Sequence, residues 1–432
     1  MIKSLWDVVK SGIFKRTVIY TMSTSLNALV AFLLLPILTR YLSPFDYGVV
    51  ETFMAVVACL TGVVLVGGNT LVSKDYFVLA ESDRQEYAGE ILGMTLIASV
   101  SLLIFYIFSS MWGDFWSNIL KISNALIILA IIVSCGNAVV AMISTTFQLE
   151  KKAVSYAIFI NSKTIFDITL SLYLIIGIGL TWEGRISGIA ASIIFFGAAA
   201  LYLFKSRNIT IQLPIKYGKQ ILLLCTPLIL SHLGGWVYGM VDKIMINNLV
   251  GVDATGLYSV GYRFGMVVMM VETAFSLAWL PFFFENIAQK KHENNVKIVK
   301  ATYIYIVFLI FFSVSFGLLG KYLLYFMVDE RFFGASQFIF LISAAYCFDG
   351  IWKMFLGYII FLGRMKTYSA ITLFTAMIQI TLSYLMIITF GLIGAAWATF
   401  ISMTIGSLIT ITVAIKSYHM PWRLLRPASN YR

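Results

Sequence analysis

The chain has 432 residues, 60% of them apolar and only 12% charged, a balance that excludes a soluble enzyme or signalling domain and implies a polytopic membrane protein. A net charge of +11 would suggest nucleic acid in a soluble chain, but here the basic residues sit in short loops between apolar runs, as a membrane-orientation signal, and no nucleic-acid partner is expected. Cys59, Cys135, Cys225 and Cys347 all fall inside apolar runs without metal-ligand spacing, so neither a disulfide, a metal centre nor a cofactor is expected.

In residues 1–16, Leu5, Trp6, Val9, Ile13 and Phe14 alternate with Lys3, Lys10 and Lys15, a pattern that reads as a helix lying in the membrane interface or as a tail. The first apolar run is too long for the core of a cleaved signal and stays as the first span. Further runs follow, and the twelve together centre at about residues 28, 60, 99, 133, 165, 194, 235, 269, 310, 349, 378 and 404. With the N-terminus inside, twenty-two basic residues fall on inside segments and five on outside ones (Arg40, Lys121, Arg185, Lys321 and Arg331). Both termini are therefore expected in the cytoplasm. No connecting segment exceeds about 20 residues and no phosphate-binding loop is present, which leaves no room for a nucleotide-binding or catalytic domain.

The seventh run, 221–250, is longer than the roughly 20 residues that span hydrocarbon and carries Asp242 and Lys243 within it, followed by a six-residue turn. Upstream lies a hydrophilic joint, and the two sides of it resemble each other. Thr169-Leu170-Ser171 recurs as Thr381-Leu382-Ser383 about 212 residues later. Gly188-Ile189-Ala190 matches Gly394-Ala395-Ala396, and the turn ending at Gly48 matches the one ending at Gly256. These matches predict two parallel six-span halves meeting at a seam where a substrate path would run. The division is an interfacial segment 1–16, an N-terminal half 17–204, a linker 205–218, a C-terminal half 219–416 and a tail 417–432.

Ionisable groups at membrane depth are costly and mark sites that use them. Lys163 with Asp167, and Asp349 with Lys353, lie four residues apart on single helices, within reach of each other as structural pairs or as a path lining. Arg263 and Asp242 fall at similar depth on a helical hairpin, and Glu272 lies beyond them. Arg40 and Glu51 flank the first outer turn, where a rim salt bridge is expected. His232 reads as a core histidine or a proton site. Pro227, Gly234, Gly235 and Gly239 weaken the seventh helix, either for close packing or for a bend between states, and Gly261 with Gly265 repeat the small-residue spacing. Trp236 and Tyr238 could stack on sugars or pack in lipid.

At LLLPILTRYLSPFDYGVV, residues 33–50, and VDKIMINNLVGVDATGLYSVGYR, residues 241–263, the chain resembles the polysaccharide transporter family, the Wzx-type O-antigen and capsule oligosaccharide flippases of the multidrug/oligosaccharidyl-lipid/polysaccharide exporter superfamily. The resemblance implies an all-α integral membrane protein with about 12 transmembrane helices in two six-helix bundles around a central cavity. It implies a transporter rather than an enzyme, one that moves an undecaprenyl-diphosphate-linked oligosaccharide to the outer leaflet of the bacterial inner membrane by alternating access, driven by an ion gradient. Partners would be that lipid-linked substrate, membrane lipid and other polysaccharide assembly components. Arg263, Lys163, Lys243 and Lys353 are then the candidate head-group contacts, and Asp167, Asp242, Glu272 and Asp349 the candidate proton or cation sites. The alternatives are a multidrug extruder of the same fold, which favours an apolar, acidic cavity, and a polytopic polymerase or acyltransferase, which would show a large outer loop or a histidine-carboxylate site.

Overall fold

The computed structural model describes residues 12–65, 68–75, 79–289 and 291–422, so most of the predicted interfacial segment and the end of the tail lie outside the described residues. The described residues are helical throughout, without a strand. Ten helical segments among them are long and apolar enough to cross a membrane, and two further helical stretches, from Gly218 and from Val252, stand at the predicted seventh and eighth positions. The chain is an all-α membrane protein made of two compact units, 1–257 and 258–432.

The first unit holds α1 (Gly12–Leu33), α2 (Leu35–Tyr41), α3 (Pro44–Leu65), α4 (Gly68–Asp75), α5 (Glu81–Ser110), α6 (Phe115–Leu120), α7 (Asn124–Leu149), α8 (Ala153–Leu172), α9 (Trp182–Lys205), α10 (Gly218–Leu249) and the start of α11 (Val252–Gly265). Pro36 breaks the first span after Leu33, since its ring nitrogen has no proton for the helical ladder. Lipid is as apolar as leucine, so burial alone does not draw helices together in a membrane, and close backbone approach and shape do more. Helix α7 packs against α3, α5 and α9. At its crossing with α9, a Cβ on Gly197 would lie 3.3 Å from the Gly136 Cα, an approach tight for any side chain. Apolar clusters fill the space on either side, one around Phe53, Ile127 and Ile189 and one around Ile143, Phe147 and Phe204.

The predicted turn after the seventh span is shorter than six residues. Gly251, at φ +137°, reverses the chain and α11 starts at the next residue. At the paired turns the contacts are reciprocal. A Cβ on Gly48 would strike the Val252 carbonyl oxygen at 2.0 Å, and one on Gly256 would strike the Pro44 carbonyl oxygen at 1.9 Å. Pro44 and Val252 stand at the same offset as the two glycines, so this crossing of α3 with α11 is the sequence repeat written in contacts.

The hydrophilic joint is held along its length. The Gly89 carbonyl accepts the Gln212 N–H at 3.1 Å, and side chains on Gly89 or Gly93 would collide with the Thr210 and Gln212 carbonyls. The Glu90 carboxylate, 2% exposed, accepts the backbone N–H groups of Lys216 at 2.8 Å and Tyr217 at 2.7 Å, just ahead of α10. Lys216 adds ion pairs to Asp83 and Glu86. A carboxylate from α5 thus satisfies N–H groups that a helix start leaves open.

The second unit comprises the rest of α11, then α12 (Val267–Ala288), α13 (His292–Met327), α14 (Ser336–Phe361), α15 (Met365–Phe390) and α16 (Leu392–Ser417). Helix α14 is its centre, packed by α12, α13 and α16. Here the small-residue spacing does mean close packing, because Gly261 and Gly265 face Ala335, Phe338 and Ile342. The Tyr262 and Tyr346 hydroxyls bond at 2.8 Å between α11 and α14.

Candidate functional site

In the first unit a cavity of about 660 Å³ opens between α3, α4 and α10. Trp236 is fixed at its edge by an indole N–H that donates to the Ala55 carbonyl at 2.8 Å. His232 is exposed into the space, its ring lying over Gly62, where a Cβ would meet the imidazole at 1.8 Å. Gly235 and Gly239 face open space, with nothing within 4 Å of an added Cβ, so neither is a packing glycine. Gly234 is buried, and the Pro227 side chain lies outside the described residues.

Seven residues along α10 from Trp236, about 10 Å at the helical rise, comes a buried charge cluster. Lys243 donates to Glu51 at 2.7 Å, with side-chain exposures of 5% and 3%, and Asp242 is 0% exposed and accepts the Lys243 backbone N–H at 2.9 Å. Glu51, expected in a salt bridge at the first outer turn, is buried and accepts a bond from Lys243, which lies 192 residues away in sequence, out of reach of any spacing rule.

On α8, Asp167 is not the partner of Lys163. Arg185 from α9 takes its carboxylate with two bonds, at 2.6 and 3.4 Å, and also reaches Ser171 at 2.7 Å. A planar guanidinium fits a carboxylate better than the lysine one turn away on the same helix. Lys163 is half-buried with no ion pair within 4.0 Å among the described residues, and its carbonyl accepts from Ser192 at 2.9 Å. About 212 residues on, Gln379 stands where the repeat places Asp167, and Ser383 where it places Ser171. Gln379 is 0% exposed and bonds Ser383, Thr399 and Ser402, a neutral network in place of the charged one.

In the second unit the i, i+4 expectation holds. Asp349 and Lys353 pair at 2.9 Å, and Lys353 also bonds Glu272, which is 0% exposed, from α12. Gly350 leaves room for the Glu272 carboxylate, 2.8 Å from where a Cβ would stand. Arg263 is half-buried on α11 between Tyr262 and Phe264.

A model of polysaccharide biosynthesis proteins matches residues 13–287. The chain belongs to that family. A second model, MatE, matches residues 227–385. Among relatives of this polysaccharide biosynthesis protein, the Haemophilus influenzae Lsg locus putative protein 1 is 24% identical over 287 residues, 65% of this chain and 68% of that protein. Its fold is that of a multidrug resistance MATE family transporter of the MOP superfamily. The inward-facing conformation of that transporter aligns at TM-score 0.67 with 14% identity, covering 91% of this chain and 94% of the other. The outward-facing conformation aligns at 0.59 with 16% identity, covering 94% and 95%. The polysaccharide biosynthesis member described here is thus a multi-pass membrane protein with the fold of those transporters.

Proposed function

We propose that this protein is a flippase that carries an undecaprenyl-diphosphate-linked oligosaccharide repeat unit from the cytoplasmic to the outer leaflet of the bacterial inner membrane, by alternating access driven by an ion gradient. The observation that carries the reading is the polysaccharide biosynthesis match over residues 13–287, on a chain whose fold is that of transporters. A diphosphate and polar sugars cannot cross hydrocarbon unaided, and a path lined by helices supplies the missing polar partners.

In this reading 17–204 and 219–416 are the two moving halves, with both termini cytoplasmic. The Glu51–Lys243 pair and the reciprocal Gly48 and Gly256 contacts join α3 to α10 and α11 near their outer ends, and outward opening must break them. Lys243 and Lys353 are committed to carboxylates, which leaves Lys163, with no ion pair within 4.0 Å among the described residues, as the stronger head-group candidate of the three lysines. Asp167 is committed to Arg185, whereas Glu272 and Asp349 share one lysine. Two acids against one base make this the favoured coupling site, because releasing or taking one proton changes its net charge.

The test is the sidedness of the single-repeat lipid in cells lacking the protein. It should accumulate where an impermeant glycan-modifying probe added to spheroplasts does not reach it, with surface polymer absent. A polymerase defect would leave the single repeat accessible from outside. An extruder defect would change only susceptibility to toxic cations.

A further inference from the structure

The cavity between α3, α4 and α10 has a chemistry of its own. None of its described lining residues is charged. A diphosphate would call for lysine or arginine, and an organic cation would call for a carboxylate or a closed aromatic cage. What the cavity offers is one fixed indole, one exposed imidazole, the Thr70 hydroxyl and the Asn69 amide. The Asn69 side-chain oxygen is turned away from solvent and accepts no hydrogen bond, so a rotation of the amide toward the cavity gives up no bond of that oxygen and presents it to a ligand. An aromatic face beside neutral donors and acceptors is the lining that a sugar ring takes, with its C–H face on the indole and its hydroxyls on the amide and imidazole. The volume, about 660 Å³, falls within the range of small-molecule sites.

We infer that this cavity seats a neutral pyranose ring of the transported glycan against Trp236, with Asn69 and His232 bonding its hydroxyls and Gly235 and Gly239 forming the open floor that admits it. The inference rests on the flippase reading and adds the part of the substrate recognised in the first unit. The diphosphate is held elsewhere, since no charged residue is among the described residues that line this space. The two glycines are neither packing contacts nor a bend. They are absent side chains, and their absence is the site.

That claim separates from a backbone role by a size series. An added Cβ at Gly235 or Gly239 meets nothing within 4 Å, so a methyl group is accommodated at either position and larger residues extend from there into the cavity. In a deletion strain carrying each variant, Gly235→Ala and Gly239→Ala should keep at least half of surface polymer export. Gly235→Leu and Gly235→Phe should lose about tenfold or more at unchanged membrane abundance. Export by the Phe variant at the wild-type level would overturn the site, and so would an Ala variant as inactive as Phe, which is the signature of a bend. A second measurement uses Gly235→Cys in inverted membrane vesicles, read as thiol labelling above the parent with its four native cysteines. Extracted repeat-unit lipid should slow that labelling, and undecaprenyl phosphate without sugar should not. Equal protection by both would assign the cavity to the lipid or phosphate and overturn the sugar assignment. If the deletion strain placed the single-repeat lipid on the outer leaflet at wild-type rates, the flippase reading itself would fall. A flat size series in a strain that does depend on the protein for flipping removes only the sugar site.

Discussion

Two clusters, one in each unit, bring a lysine together with carboxylates in different surroundings. Glu51, Asp242 and Lys243 meet in the first, and Glu272, Asp349 and Lys353 in the second. In the first, no member is more than 5% exposed. In the second, Glu272 is sealed while Asp349 and Lys353 remain 23% and 29% exposed. A closed ion pair can only be held or broken, because either charge alone at that depth costs several kcal/mol. A half-open one can exchange with water. The first is therefore suited to fastening helices and the second to taking up and releasing charge.

The largest effect should come from opening the sealed cluster. Lys243→Met removes the ammonium group that the buried Glu51 carboxylate bonds and should cost roughly 3–5 kcal/mol, seen as a lower unfolding midpoint in detergent and reduced membrane abundance. Adding Glu51→Gln should recover at least half of that loss, since an amide needs no counter-charge. The half-open cluster should respond differently. Lys353→Met should cost about 2 kcal/mol or less, because water and a proton can compensate the acids, yet it should reduce export tenfold or more at near-normal abundance. If Lys353→Met proved as destabilising as Lys243→Met, the contrast between the clusters would collapse.

The smallest effect lies outside the membrane and calibrates the other two. Burial pushes the Glu150 carboxyl up, but hydrogen bonds and charges from Arg207 and Lys152 outweigh it and hold the group below its ordinary 4.5. A folded pKa below the unfolded one means stability that is complete above the unfolded value and lost as pH falls through the folded one. Acidification from about pH 6 to about pH 3 should therefore cost the wild type more than Arg207→Ala, by about 1 kcal/mol or less for a pair this close to water. Equal acid sensitivity in the two proteins would show that the pair contributes nothing.

The helices and the i, i+4 pairing of Asp349 with Lys353 were legible in the sequence because both depend on local spacing. The partners of Glu51 and Asp167 were not. Arg185 lies 18 residues beyond Asp167, across a helical turn, and basic-residue counting assigned it to an outside loop. Lys163 and Asp167 share a helix face, but same-helix spacing says nothing of a competing residue on the neighbouring helix, and Arg185 takes the carboxylate. Gly235 and Gly239 show the same limit, since two glycines one turn apart read alike whether they face a helix, a bend or an empty space.

Glu90 has a consequence for how the protein is made. All of its partners lie within the first 217 residues, so the clamp on the start of α10 can form as soon as that helix leaves the ribosome and enters the membrane. Domains fold as units from the N-terminal side during synthesis. By the time α12 is translated, the start of α10 is already fastened to α5, before the second unit is made. Glu90→Ala should therefore show itself first in biogenesis, as newly made chains degraded before completion, while chains that do mature remain competent.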